Sequence, residues 1–219
     1  MAWRIDTSER VEMFTPIAFR LLDDFTGLAP IGSSQYFLDL SDGVGGWLPL
    51  TQQPRRSARG ILAYPRLDRR LEVIGAPPRH YRFRLTADLY RPFYLANLDG
   101  IEFDSFPYND VEPPAAFAAV TTDVVLTPAA QYPYPAHVPV LRGVVEDAAG
   151  ERVRDVIVTE GIRERVLTDE RGEFALPLRW VPENTPTPID AEDQRTGRTG
   201  TIMIAIPAAL GISQTITIT

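Results

Sequence analysis

The sequence predicts an all-β protein in which two tandem antiparallel β-sandwich domains follow a short N-terminal arm. Apolar and polar residues alternate often, and turn signals recur every 8–12 residues or so, which is typical of a sandwich. The 219 residues include 20 prolines. Because proline is excluded from helix interiors and central strands, its clusters mark connections and sheet edges. The best helical candidates are short, at Ser8–Phe14 and Pro207–Leu210.

The clearest strands lie in the second half of the chain. Alternation predicts strands over Val140–Glu146, Val153–Thr159, Arg165–Thr168, Glu173–Leu178, Pro188–Asp193, Thr201–Ile206 and Thr215–Thr219. Short strands at this spacing, separated by turns that contain Gly or Asp, are expected to form one sandwich.

Three runs in this half carry a resemblance to a known family. They read L-R-G-V-V-E-D-A-A-G-E-R-V-R-D-V-I-V, L-T-D-E-R-G-E-F-A-L-P-L and I-D-A-E-D-Q-R-T-G-R. Over about residues 138–219 the chain resembles a carboxypeptidase regulatory-like domain, and the pattern T-D-x-x-G-x-F stands at Thr168–Phe174. The resemblance implies a transthyretin-like (prealbumin-like) β-sandwich. It implies no activity, since the family serves as an accessory module in many proteins.

The first half is interpreted as a diverged copy, so both domains are expected to be transthyretin-like or Ig-like sandwiches. In Ala18–Gly27, as in Val140–Gly150, an Arg-bearing strand ends in an acidic pair and a Gly turn. Further strands are predicted at Tyr36–Leu40, Ala58–Tyr64, Tyr81–Leu89, Ile101–Phe106 and Val120–Leu126. The expected organisation is an arm over residues 1–15, a sandwich over 16–130, a Pro/Tyr-rich linker over 131–139 and a second sandwich over 140–219.

Composition narrows the range of functions. The net charge of −7 argues against nucleic acid, which needs a surplus of cations on one face. All 22 basic residues are arginines, and there is no Cys, so thiolate catalysis and Cys-based metal sites are excluded. No apolar run is long enough for a membrane span. The polar first residues lack the apolar region of a signal peptide, so a cytoplasmic protein is expected.

The acidic run Arg165–Pro177 is the first candidate for a site. Asp169, Glu170 and Glu173 could hold a cation, but the spacing does not match the oxygen ligands of a calcium loop. Asp169 followed by Gly172 fits a polar turn between two strands better. Neither His80 nor His137 has a neighbour at metal-ligand spacing, and there is no nucleophile elbow. No catalytic, cofactor or metal residue is therefore predicted.

Other segments point to a protein partner. Tyr90, Arg91, Phe93 and Tyr94 are of the types enriched at interaction hot spots, although the end of a core strand explains them equally well. Trp3 and Phe14 give the arm apolar side chains that could dock on a neighbour. The uncharged strands near the C-terminus would accept an added strand if they lay at a sheet edge.

These observations predict a non-enzymatic structural or adaptor subunit that docks to other protein subunits, with self-association as one form. By analogy of architecture, it could be a cap, collar or baseplate part of a phage tail-like or contractile injection particle. The alternative is a carbohydrate- or ligand-binding accessory module. That role would use Trp47 with Tyr90, Phe93 and Tyr94 as an aromatic platform for a glycan.

Overall fold

The computed structural model describes residues 15–57, 60–70, 77–109 and 120–219. In the first half the strands are β1 (Ile17–Asp23), β2 (Ser34–Ser41), β3 (Trp47–Leu50), β4 (Arg55–Arg56), β5 (Ile61–Ala63), β6 (Arg79–Ala87), β7 (Tyr90–Pro92), β8 (Ile101–Ser105) and β9 (Val120–Pro128). In the second half they are β10 (Val140–Asp147), β11 (Ile157–Glu160), β12 (Glu164–Leu167), β13 (Glu173–Pro177), β14 (Thr187–Asp193), β15 (Arg198–Ile204) and β16 (Gln214–Ile218). Short 3-10 helices span Phe93–Ala96 and Ala208–Gly211.

The prediction of an all-β chain is confirmed for the described residues. Each strand predicted in the second half is present, with small shifts at the ends. β11 begins at Ile157 instead of Val153, because Asp155 adopts a left-handed φ of 60° that interrupts the extended backbone. The predicted helical turn near Pro207 is a single 3-10 turn. The helical candidate Ser8–Phe14 lies outside the described residues.

The second half is a sandwich of two sheets. One sheet has the order β13-β10-β16, in which β10 is antiparallel to β13 and parallel to β16. The other has the order β12-β11-β14-β15 and is antiparallel throughout. Inward-facing residues such as Leu141, Val158, Ile189 and Ile216 form an aliphatic core, in which Phe174 is the large aromatic side chain.

The first half repeats this strand order. β1 is antiparallel to β5 and parallel to β9, and β3-β2-β6-β8 form an antiparallel row. β7 pairs with both β6 and β9, so these layers are joined into one curled sheet. Phe19 of β1 stacks on Phe83 of β6, with ring centroids 4.1 Å apart, which shows that the two layers face each other across the core.

The first strand of each half ends in the same kind of turn. Asp23 Oδ1 accepts a hydrogen bond from the N–H of Phe25, and Gly27 takes a φ of 70°. Asp147 Oδ1 accepts from the N–H of Ala149, and Gly150 takes a φ of 81°. In both turns, therefore, the acidic residue accepts a backbone hydrogen bond and the glycine adopts a positive φ.

The Pro/Tyr-rich stretch 131–139 packs mainly on the first half. Tyr132 is buried there, and its hydroxyl donates to Asp23 Oδ2 at 2.9 Å. Tyr134 packs on the same core and donates to the carbonyl of Ala175 at 2.9 Å, in the second half. This stretch therefore contacts both halves and does not run freely between them.

Candidate interaction surfaces

The predicted partner residue Tyr90 is a core residue of the first half. It is only 1% exposed. Its hydroxyl donates to Asp23 Oδ2 at 3.2 Å and accepts from the N–H of Ile31 at 3.1 Å. Burial raises the pKa of the Tyr90 hydroxyl, so it stays a neutral donor. Tyr90 is thus engaged within its own chain.

Arg91 connects the two halves of the molecule. Its guanidinium binds Asp155 and Glu170, both in the second half, and its side chain is only 13% exposed. Burial alone would raise the pKa of Glu170, but the hydrogen bond from Arg91 outweighs it and holds this pKa below its ordinary value. Glu170 belongs to the acidic run Arg165–Pro177, which was a candidate cation site. In the structure its carboxylate is paired with the guanidinium of Arg91.

Phe93 and Tyr94 also lie against the chain's own residues. The guanidinium carbon of Arg165, from the second half, sits 4.1 Å from the centre of the Phe93 ring. The Tyr94 hydroxyl accepts from the N–H of Leu85 at 2.8 Å, and burial raises the pKa of Tyr94 to about 12. The arm residues Trp3 and Phe14 lie outside the described residues, so their predicted role stays a prediction.

We call the contact between the two halves the seam. Besides Arg91 and Phe93, it contains an apolar group made by Ala96, Ile157 and Leu167. Its further polar contacts are Arg165 to Asp24, Arg179 to the carbonyl of Phe25, Arg195 to Asp99, and Arg142 to the carbonyl of Ala130. The residues predicted to bind a partner therefore mostly contact other residues of the same chain. Partner binding by Tyr90–Tyr94 stays a prediction.

Several clefts are lined by residues of both halves. One, of about 470 Å³, is lined by Asp24, Phe93, Ile162 and Arg165. Another, of about 370 Å³, is lined by charged residues of both signs: Arg84, Arg91, Arg154, Arg195, Asp99, Asp155, Asp169 and Glu170. Because the carboxylates and guanidinium groups neutralise one another, neither of these two clefts presents a charge that would select a ligand.

The candidate aromatic platform for a glycan is not assembled. Trp47 lies beside β6 near its start, where Arg82 covers the ring at 4.5 Å and the His80 ring is 5.5 Å away. Tyr90 pairs with Ala87 at the other end of β6, and Ala87 is seven residues beyond His80, or about 23 Å at the rise of a strand. Tyr90 itself is buried. Trp47 and Tyr90 are therefore far apart and do not form one platform with an exposed aromatic face.

The acidic run Arg165–Pro177 forms a turn between two strands, as the spacing predicts. Asp169 Oδ1 accepts from the N–H groups of Arg171 and Glu173, both at 2.9 Å, and Gly172 takes a φ of 70°. In the part of the chain that the structure describes, no group of three His, Asp or Glu side chains could hold a metal ion. No helix there is long and apolar enough to cross a membrane.

Sheet edges of the second half differ in how they are covered. The edge strand β12 packs against β9 of the first half, and the Ala175 carbonyl of β13 accepts from Tyr134. β16 is approached by the start of β15, where Thr199 and Thr219 exchange two backbone hydrogen bonds of 3.2 and 3.0 Å. In the described residues, the later part of β15, Thr201–Ile204, pairs with β14 on one side and with no strand on its other side.

The absence of charge in this strand is visible in the sequence, but its place at an edge is not. Asp155 and Arg165, which contact the first half at the seam, also carry no local pattern that predicts this role. The only sequence signal for them is a surplus of Arg and Asp in turns, which is equally typical of solvated surface. Such pairing is decided by tertiary structure.

Comparisons with known proteins give no family. No protein-family model matches the sequence, and no curated protein is significantly similar to it. The solved structures found include the TIE protein of Bacillus anthracis (12% identity, TM-score 0.29) and the major pilin subunit of Bacillus cereus (11%, 0.30). A third is the C-terminal fragment of a pilus adhesin from Lactobacillus rhamnosus GG (12%, 0.19).

Each alignment covers 92% of this chain, and respectively 32%, 68% and 94% of the other protein. The chain thus spans about a third of the TIE protein. TM-scores of this size do not establish a common fold, and nothing about the function of this chain follows from them.

Proposed function

We propose that this protein is a non-enzymatic structural or adaptor subunit that binds other protein chains through a sheet edge of its second half. The observation that supports this is the uneven cover of the edges: β12, β13 and the end of β16 are engaged, whereas Thr201–Ile204 is open in the described residues. This stretch carries no charge, although strands exposed at an edge usually carry charge or proline against unwanted pairing.

We also propose that residues 16–130 and 140–219 are two related sandwich domains. The repeated strand order and the matching turns after β1 and β10 support this. For residues 138–219, the corner at Asp169 supports the resemblance to carboxypeptidase regulatory-like domains. The seam would hold both domains in one orientation, which suits a subunit that fixes the spacing of its neighbours.

The more specific roles, a part of a phage tail-like particle or a carbohydrate-binding module, have less support. Nothing in the described residues favours a cap, collar or baseplate part of a particle, so we propose the broader class only. A carbohydrate-binding role lacks an assembled aromatic platform in the same residues. The cytoplasmic location stays a prediction.

A photo-crosslinking amino acid at Met203 tests the proposal in cells that produce the protein. Met203 is 63% exposed on the open edge, and Ile212, 65% exposed and outside β15, is a matched control position. We expect light-dependent adducts to an identified protein from position 203 and few from position 212. Equal labelling from both positions, or no adduct from position 203, would contradict binding at this edge.

A further inference from the structure

Positive charge is concentrated in one segment of the chain. Residues 55–84 contain nine of the 22 arginines but two of the 29 acidic residues, although the whole chain has a net charge of −7. In the rest of the sequence the acids therefore outnumber the arginines by a wide margin. A region of one sign can attract a charged partner even where the net charge of the molecule would repel it.

The strands bring much of this segment to the end of the first half that lies away from the seam. β6 ends at Ala87, which pairs with Tyr90, and the next residue, Arg91, is part of the seam. The start of β6, at Arg79, is therefore at the opposite end of the strand. The turn after β5 reaches the same end, because Asp68 Oδ1 lies 3.7 Å from Arg79 Nη1.

We call this end the basic pole and define it by six arginines: Arg55, Arg56, Arg66, Arg69, Arg70 and Arg79. All of them are exposed except Arg70, which is half-buried. β4 places Arg55 opposite Ala63 of β5, and Arg70 lies 3.5 Å from the same Asp68 oxygen that Arg79 approaches. Among the described residues, no carboxylate pairs with Arg55, Arg56 or Arg66.

The acids near the basic pole are fewer and are already engaged. Asp68 is buried and accepts from the Tyr81 hydroxyl. Asp42 Oδ1 accepts from the N–H groups of Val44 and Gly46, at 2.9 and 2.8 Å. On β8, Glu102 and Asp104 both bind the ring of His80, at 3.0 and 2.8 Å. In the part of the chain that the structure describes, this end thus keeps a surplus of positive charge.

Exposed apolar side chains occur at the same end. Val44, 89% exposed, lies in the hairpin between β2 and β3, and Asp42 of that hairpin lines a cleft together with Arg79. Phe106, 61% exposed, follows β8, whose last residue, Ser105, is opposite Arg79. Both side chains belong to connections between strands. The basic pole therefore combines guanidinium groups with apolar side chains that are left in water.

This combination selects the kind of partner. A bilayer with anionic lipids attracts arginines to its headgroups, and apolar side chains gain by entering the boundary between headgroups and acyl chains. A nucleic acid strand would instead need a cationic groove with rings on which bases stack. The cleft of about 320 Å³ beside Arg79 is lined by Asp42 as well, so it is not such a groove. The observations favour an anionic membrane surface.

We propose that the basic pole binds the surface of a membrane that contains anionic lipids. The arginines pair with headgroup phosphates, and Val44 and Phe106 enter the headgroup region. The second half, joined at the other end of β6, would lie on the side away from the bilayer. This surface is separate from the β15 edge, so the inference goes beyond the proposed function and does not depend on it.

Flotation of the full chain with vesicles tests the role of the charges. The vesicles contain phosphatidylcholine alone, or phosphatidylcholine and phosphatidylserine in equal amounts. Arg55→Ser/Arg56→Ser/Arg66→Ser removes three arginines of the basic pole. The matched control, Arg152→Ser/Arg163→Ser/Arg171→Ser, removes three exposed arginines of the second half and changes the net charge equally. Circular dichroism confirms that both variants are folded.

We expect the unaltered chain to float with the anionic vesicles and not with phosphatidylcholine alone. The variant of the basic pole should bind the anionic vesicles at least about tenfold more weakly, because each arginine near the surface contributes to the attraction. The control variant should bind nearly as well as the unaltered chain.

A fluorescent label tests the insertion of the apolar side chains. The chain has no Cys, so Val44→Cys can carry a single dye that responds to the polarity of its surroundings. Ile162→Cys, at a fully exposed position in the second half, is the control. With anionic vesicles, the emission of the dye should shift to the blue at position 44 and stay unchanged at position 162.

Three results would overturn membrane binding. They are an unaltered chain that does not float with the anionic vesicles, an equal loss of binding in both arginine variants, and a dye at position 44 that stays in water while the chain floats. A chain that ignores the vesicles but binds a labelled DNA oligonucleotide would assign the basic pole to nucleic acid and refute the proposal as well. The Met203 crosslinks are measured independently, so they test the proposed function whichever result is found.

Discussion

The two halves of this molecule have the same strand order but fill their cores differently. In the first half, Phe19, Tyr64, Tyr81 and Phe83 are buried together. In the second half, aliphatic side chains occupy the corresponding space around one phenylalanine, Phe174. The comparison teaches that this arrangement of strands depends on alternation and turns, and that quite different side chains can fill it.

The difference has a consequence for polar groups. Buried phenols usually have a hydrogen-bond partner, and in this aromatic core buried acids accept hydrogen bonds from several of them. Tyr90 and Tyr132 both donate to Asp23, and Tyr81 donates to Asp68 at 2.7 Å. The aliphatic core of the second half contains no buried phenol that needs such a partner in the described residues. The first half should therefore be sensitive to substitution of the buried acids that pair with its phenols.

Loss of an aromatic stack should have the largest effect. Phe19→Ala removes a fully buried ring that stacks on Phe83, and we expect the free energy of unfolding to fall by about 4 kcal/mol. Urea denaturation followed by circular dichroism measures it. Phe37, a partly exposed ring on β2, is the control, for which Phe37→Ala should cost less than about 1 kcal/mol. Equal losses would refute the central role of the stack.

The seam can be broken at Arg91. Arg91→Ala leaves Asp155, which is 6% exposed, without its buried partner, and we expect a loss of about 3 kcal/mol and separate unfolding of the two halves. Calorimetry would show this as two transitions. Arg195→Ala removes a more exposed seam pair with Asp99 and should cost less than about 1 kcal/mol. A single, unshifted transition in Arg91→Ala would show that the ion pairs do not couple the halves.

The acid at the centre of the phenol cluster provides a third test. Asp23→Ala leaves the hydroxyls of Tyr90 and Tyr132 without their shared acceptor, and the expected loss is about 2 kcal/mol. Asp123→Ala, which removes a solvent-exposed ion pair with Arg20 on the neighbouring strand, should cost much less. Chemical denaturation of both variants compares them, and a larger loss in Asp123→Ala would contradict the assignment.

The smallest expected effect is the pH dependence of stability that His80 contributes. Hydrogen bonds to Asp104 and Glu102 raise the pKa of His80 in the folded protein. A raised pKa means that this stabilisation is complete below the unfolded value of about 6.5 and is lost as pH rises through the folded pKa. Titration of the His80 ring by NMR should give a midpoint above 6.5 that falls in Asp104→Asn. An unchanged midpoint in that variant would show that Asp104 is not responsible.

The sequence predicted the second half better than the first for physical reasons. Each strand from β10 to β16 is bounded by Gly, Asp or Pro, so alternation and turn chemistry agree. In the first half, β3, β4 and β7 are too short to show a period and were missed. Tyr90–Tyr94 has the composition of an exposed hot spot, yet the partners of Arg91 are 64 and 79 residues away along the chain. Pairing between residues so far apart in the chain cannot be predicted from the local sequence pattern.

The parallel pairing of first and last strands has a mechanical consequence. β1 and β9 are paired along seven residues, from Ile17 with Val120 to Asp23 with Leu126. β10 and β16 are paired along five, in the same parallel sense. Tension applied to the start of one strand and the end of its parallel neighbour pulls them lengthwise past each other. The cross-strand hydrogen bonds are then sheared together instead of being unzipped singly, so each half should resist being pulled open by its ends.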